Sequence, residues 1–145
     1  FENVECYAKG PWSNYIDRQR GSLLGRYTTT VDGMFEEQSA PQTMGDRQGL
    51  RQLTLSNDGT QLQIATEGMV AFSLSHFDDA QFNYDVFYGG KHPYDLVRSP
   101  QVFAHFDFWQ RGIGNRSCGG DSCLPQYMTP TGAHTFTLRF TPMAK

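Results

Sequence analysis

Two adjacent acidic pairs, Glu36-Glu37 and Asp78-Asp79, are the first places where paired carboxylates could share proton-transfer work. General acid–base chemistry needs both groups to converge on one bond. On a strand, neighbouring side chains point to opposite faces, so Glu36 and Glu37 would diverge. Asp78-Asp79 follow His76-Phe77 and read as the cap of a short helical turn. A nucleophilic serine would be announced by a Gly-x-Ser-x-Gly elbow, and the sequence has none. Gly112-Ile113-Gly114 runs into Asn115-Arg116-Ser117 without a third spaced glycine, which excludes a dinucleotide fingerprint. Cys6, Cys118 and Cys123 are odd in number. Cys118 and Cys123 enclose Gly119-Gly120-Asp121-Ser122, a loop that a disulfide could close and that two thiols would fit equally. His76, His92, His105 and His134 show no ligand-like spacing, so no metal is expected.

The elements that must hold these residues alternate with a period of two. Val4, Cys6 and Ala8 share one face of a first strand, against Glu5, Tyr7 and Lys9 on the other. Leu53 and Leu55 alternate with Gln52 and Thr54. After Ser56-Asn57-Asp58-Gly59, Leu62 and Ile64 alternate with Gln61 and Gln63, which predicts a hairpin. Val70, Phe72 and Leu74 continue the pattern, as do Val102, Ala104, Phe106 and Phe108, and finally Phe136, Leu138 and Phe140. On this reading Trp109 falls on the face opposite Phe108, as second-layer packing or an interface residue. Asp78 to Tyr84 allows one or two helical turns. Segments 10–26, 38–48, 86–100 and 111–132 are rich in Gly, Pro, Asn, Ser and Arg and read as long ordered loops. The class is all-β, an antiparallel β-sandwich, with residues 1–145 as one domain.

Composition bounds the partners. The 145 residues carry 12 Lys+Arg against 15 Asp+Glu, a formal charge of −3, which gives no basic face for a phosphate backbone. No nucleic acid is expected, and no apolar run is long enough for membrane insertion. No leader is visible at the start. Aromatics at 14% with 15 Gly and 7 Pro suit a turn-rich β protein and are too apolar for disorder.

Four stretches are specific in their order. Cys6-Tyr7-Ala8-Lys9-Gly10-Pro11 leads into Ser13-Asn14-Tyr15-Ile16-Asp17-Arg18. Pro41-Gln42 precedes Gly45 and Arg47, with Leu50-Arg51 beyond. Gly112-Ile113-Gly114-Asn115-Arg116-Ser117-Cys118-Gly119 comes before the final strand, and His92-Pro93-Tyr94-Asp95 lies between. At these residues, from about Val4 to Phe140, the chain resembles the C-terminal, small-chain domain of glycoside hydrolase family 2 β-galactosidases. That family runs through Gly-Pro, Glu-Asn-Tyr-x-Asp-Arg, Pro-Gln/Glu-x-x-Gly-x-Arg and Gly-x-Gly-x-x-Ser-Trp/Cys-Gly in this order. The resemblance implies the C-terminal part of a larger galactose-mutarotase-like supersandwich. It also implies that no catalytic residue lies here, because the family's two catalytic glutamates belong to a separate (β/α)8 barrel. The expected partners are that barrel, other domains of the parent chain, and a galactoside at the pocket edge. No cofactor is implied in this domain; the family's Mg and Na ions belong to other domains. A periplasmic and a cytoplasmic origin both fit.

The resemblance also orders the site residues. The family's Trp of Ser-Trp-Gly lends a stacking face to the sugar pocket, and Cys118 stands there, so Asn115, Arg116, Ser117, Cys118 and Trp109 are the substrate-binding candidates. An indole contact is worth about 1–3 kcal/mol by buried area, and a thiol offers a fraction of it and no π face. Gly10, Pro11, Asn14, Tyr15, Asp17, Arg18, Arg47, Arg51, His92, Asp95, Gly112 and Gly114 are expected to brace loops. Ser13 replaces the family's Glu. Two rival readings are a free-standing carbohydrate-binding module stacking sugar on Trp12, Trp109 or Tyr88, and, by fold analogy alone, a mutarotase.

Overall fold

The computed structural model describes residues 1–38, 45–82, 91–114 and 123–144. Its strands are β1 (Asn3–Gly10), β2 (Leu23–Thr30), β3 (Arg47–Asn57), β4 (Thr60–Ser75), β5 (Phe103–Asp107) and β6 (Thr137–Ala144), joined among the described residues by one α-helical turn, α1 (Val31–Met34), and three short 3-10 turns. All pair antiparallel in a six-stranded sheet of order β2-β1-β3-β4-β5, with β6 also on β4. The fold is therefore all-β, as the alternation predicts.

Register explains the core. Val4 lies opposite Leu55 and Cys6 opposite Leu53. Leu53 in turn lies opposite Ile64, and Leu55 opposite Leu62. One face therefore collects the apolar member of every pair, and Val4, Cys6, Ala8, Leu53, Leu55 and Ile64 are buried. Val31 and Met34 of α1 join this core, with Thr30 Oγ1 accepting the Gly33 N–H at 2.9 Å as the helix cap. The other face is polar: Glu5 pairs with Arg26 at 3.4 Å, and the Arg26 guanidinium lies 5.3 Å from the Tyr7 ring centre.

The sequence reading needs four adjustments. The segment 10–26 includes the start of β2 at Leu23, and the segment 38–48 includes the start of β3 at Arg47. Glu36 and Glu37 follow α1 and lie outside any strand. Only Asp79–Gln81 of the expected helix is helical among the described residues, capped by Asp78 Oδ1 accepting from Ala80 N at 2.9 Å. The runs at 60–65 and 70–75 form one strand of 16 residues, broken in register at Gly68, whose φ is +97°. Opposite that break, β3 shifts register around Leu50, and Gly49 has φ +70°. Two glycines in the left-handed region allow both strands to bulge at the same level. A cleft lined in part by Gly49 and Met69 opens beside this break.

Candidate functional site

The tight turn Tyr15–Arg18 stands beside the double bulge. It is closed by Arg18 N donating to Tyr15 O at 2.8 Å, which pushes Ile16 and Asp17 outward at its tip. The Asp17 carboxylate accepts the backbone N–H of Ile113 at 3.2 Å and that of Gly114 at 2.9 Å. A charge-assisted pair of this kind fixes where the chain enters residues 115–122. Gly112 is required here: a Cβ would stand 2.6 Å from Asp17 Oδ2 and 3.0 Å from Cys123 Sγ. Gly112 N also donates to Tyr127 O at 2.9 Å.

Beneath the turn lies a buried polar knot. Asn14, fully buried, donates through Nδ2 to Lys9 O and Trp12 O at 3.1 and 3.0 Å, and Oδ1 accepts from Gln48 N at 3.0 Å. Arg47 donates to Pro11 O at 3.1 Å and to Gly45 O, so its cation is held by carbonyls, and burial lowers its affinity for the proton. Asp46 is 3% exposed; Oδ2 accepts from Gln48 Nε2 at 2.8 Å while Oδ1 has no partner among the described residues. Burial, opposed by that hydrogen bond and reinforced by Asp107, pushes its carboxyl up to about 7. Ser13 donates through N and Oγ to Glu36 at 3.0 and 2.6 Å. A glutamate at position 13 would set like charges together there.

The cleft above this knot has a volume of about 240 Å³ and is lined by Ile16, Gln19, Gln48, Gly49, Met69, Phe108, Trp109 and Gln110. β5 ends at Asp107, so alternation stops before Phe108 and Trp109, and both reach the same cleft. This corrects the expectation that they lie on opposite faces. Gln48 Nε2 also approaches Gln110 Oε1 at 3.4 Å, linking the buried carboxyl to the cleft wall. A second cavity of about 330 Å³ adjoins it, sharing Ile16, Gln19 and Met69 and adding Lys9, Asp17, Arg20 and Tyr127.

The predicted residues are thus partly gathered. Asn14, Tyr15, Asp17, Arg18, Arg47, Gly112, Gly114 and Trp109 surround the cleft or its support, and Gly10 and Pro11 form a cis peptide at the end of β1. Arg51 lies exposed on β3. His92 and Asp95 brace each other, His92 N donating to Asp95 Oδ2 at 2.9 Å, in a separate exposed turn. Asn115, Arg116, Ser117, Cys118 and the Cys118–Cys123 pairing lie outside the described residues, as does Tyr88. Sequence reasoning missed Asp46, Gln48, Met69 and Gln110. Gln48 directly follows Arg47 of one quoted motif and Gln110 stands two residues before Gly112 of another, and that adjacency was the available signal. Among the described residues no group of three His, Cys, Asp or Glu could hold a metal, and no helix is long and apolar enough to cross a membrane.

Comparison with known proteins places this geometry in context. The sequence profile described as beta galactosidase small chain matches residues 1–141. A β-galactosidase of Aeromonas hydrophila is 30% identical over 133 residues, 92% of this chain and 12% of its own length. Those of Vibrio cholerae and Staphylococcus xylosus are each 28% identical, over 94% and 82% of this chain, and again 12% of their own lengths. The chain therefore spans about an eighth of these relatives. With the clamped glycine turn, the Gly-x-Arg knot and a profile match across nearly every residue in agreement, the chain belongs to the β-galactosidase small-chain family.

Proposed function

We propose that these residues form the C-terminal β-sandwich domain of a β-galactosidase that hydrolyses terminal non-reducing β-D-galactosides. In that reading the domain scaffolds the catalytic barrel and shapes one wall of its pocket. The observation that carries it is the unfinished apolar face. Phe140 packs edge-on to Phe106 at 6.3 Å across β4, yet remains 54% exposed. Phe136 stacks on Phe108 at 5.8 Å and is 41% exposed. Aromatic area of this kind on the core side of a sheet calls for a neighbour. The clamp of Asp17 on Ile113 and Gly114 would set the loop 111–123 at the pocket edge.

The experiment compares the parent enzyme, a parent lacking residues 1–145, and the 145-residue chain alone on a chromogenic galactoside. Activity is expected only in the intact parent and in a mixture of the two parts. Turnover by the isolated chain, or full activity of the truncated parent, would refute the reading. The carbohydrate-binding module is favoured by Trp12, which is 76% exposed and lines a cavity of about 230 Å³ with Pro11, Tyr27 and Arg47. Saturable quenching of tryptophan fluorescence by galactose in the isolated chain, abolished by Trp12→Phe, would support it.

A further inference from the structure

The cleft beside the bulged stretch of β3 and β4 has Gly49 and Met69 in its lining, and its other walls are aromatic, aliphatic and amide groups. Trp109 and Phe108 supply aromatic surface, Met69 and Ile16 supply aliphatic walls, and Gln19, Gln48 and Gln110 supply amides. None of the described lining residues carries a charge. A cavity with apolar walls and a few fixed polar groups is the usual form of a small-ligand site. With no charged group, this one would reject an ionic ligand, which would lose its hydration for no partner.

The amides are already sorted. Gln19 donates to Ile16 O at 2.9 Å and accepts from Lys9 Nζ, so it belongs to the wall. Gln48 Nε2 is committed to the buried Asp46 Oδ2 and to Gln110 Oε1. Among the described residues, Gln48 Oε1 and Gln110 Nε2 are then the acceptor and the donor left to meet a ligand. A neutral molecule with one apolar face and hydroxyls at its rim matches this set: the axial C–H face of a pyranose lies on an indole, and its hydroxyls both donate and accept. The volume of about 240 Å³ lies below the range of about 300–1,000 Å³ for drug-sized ligands and suits one ring. The adjoining cavity past Met69 and Ile16 would take a second.

We propose that the Trp109 cleft is a binding site for one neutral pyranoside ring, stacked on Trp109 and hydrogen-bonded to Gln48 and Gln110. The proposed contacts require no aromatic side chain at residue 118. The choice of a galactoside as first ligand rests on the function proposed above; the cleft itself rests on its lining.

Equilibrium dialysis of the parent enzyme with methyl β-D-galactopyranoside, in the presence of a saturating active-site inhibitor, tests it. One saturable site per chain is expected to remain. Trp109→Ala should weaken that site by about tenfold or more, Gln110→Leu by several-fold, and Trp109→Phe least, because it keeps a ring. If circular dichroism shows Trp109→Ala to be unfolded, the order of Trp109→Phe and Gln110→Leu carries the same reading. Complete displacement by the inhibitor, or unchanged affinity in all the variants, would overturn the proposal, including the case in which another domain fills the cleft. A parent that cleaves galactosides but has no second site sinks the cleft alone. A parent inactive on galactosides that still binds the sugar through Trp109 supports the cleft and sinks the functional reading.

Discussion

Asp17 does at one point what a longer loop would need several bonds to do. Its two oxygens take the N–H groups of Ile113 and Gly114, and Gly112 leaves room for them. Asp17→Ala should lose about 1–3 kcal/mol, the usual penalty for orphaned backbone donors together with a charged hydrogen bond. If residues 111–123 form a pocket wall, the parent's KM for galactoside should rise more than its kcat falls; denaturant melts and initial rates check both. Asp46 has the opposite character. Its carboxyl, raised to about 7, is protonated in the folded chain where the unfolded chain, titrating near 3.8, is already ionised. The folded state then binds more protons, so stability falls as pH rises between these values and levels off above the upper one. Arg47 and Asp107 oppose each other in this balance, and Gln48 supplies a side-chain donor. Asp46→Asn keeps an acceptor for Gln48 and removes the charge. It should flatten the fall in melting temperature between pH 4 and pH 7 and leave the variant more stable than wild type at pH 8. A wild-type profile with no such fall would show that Asp46 ionises without penalty.

At the level of elements, the strands were legible because half of each is apolar at period two. β1, the β3–β4 hairpin with Gly59 at φ +84° in its turn, and β6 follow directly from that pattern. What escaped has a physical reason in each case. Leu23-Leu24-Gly25-Arg26 carries no alternation because β2 is an edge strand with both leucines exposed, so β2 looked like loop. Phe108 and Trp109 continue the alternation of β5 in sequence but not in space, since pairing stops at Asp107. The paired bulges depend on Gly49 and Gly68 falling in two successive register shifts on either side of the Leu50–Val70 pair, a long-range fact that no local pattern encodes. Much of the site was nevertheless flagged through motif spacing, while the amides and Asp46 were not, since single polar residues beside a motif look like surface. Gly49→Ala tests the bulge. The left-handed φ would cost about 1–2 kcal/mol for a residue with a Cβ. Space is adequate, the nearest atom being Lys9 Cγ at 3.6 Å. Destabilisation well above that range would mean that the bulge couples to the buried knot as well as to its own backbone.

For the molecule as a whole, the decisive feature is that one apolar face is only partly covered. Around α1 it is closed, with Val31 and Met34 fully buried. Toward β5 and β6 it ends in Phe106, Phe136 and Phe140, and the last two are each more than a third exposed. Among the described residues β6 pairs only with β4, and it carries Pro142 opposite Leu62, so it is an edge that another strand would not readily extend. Side-chain packing onto the face is therefore the available mode of contact, and strand addition at β6 is not. The same substitution should then have opposite effects in two settings. Phe140→Gln in the isolated chain removes exposed apolar area and should reduce self-association and binding of a hydrophobic dye. In the parent enzyme it deletes a contact, and it should lower stability by about 1 kcal/mol for the half of the ring not already buried here. Sedimentation velocity on the isolated chain and thermal melts of the parent measure the two effects. Agreement in sign, with the parent stabilised as well, would mean that the aromatic face meets water in the assembled protein and that the domain docks through its polar face, where Glu5, Arg26 and Tyr7 are arrayed.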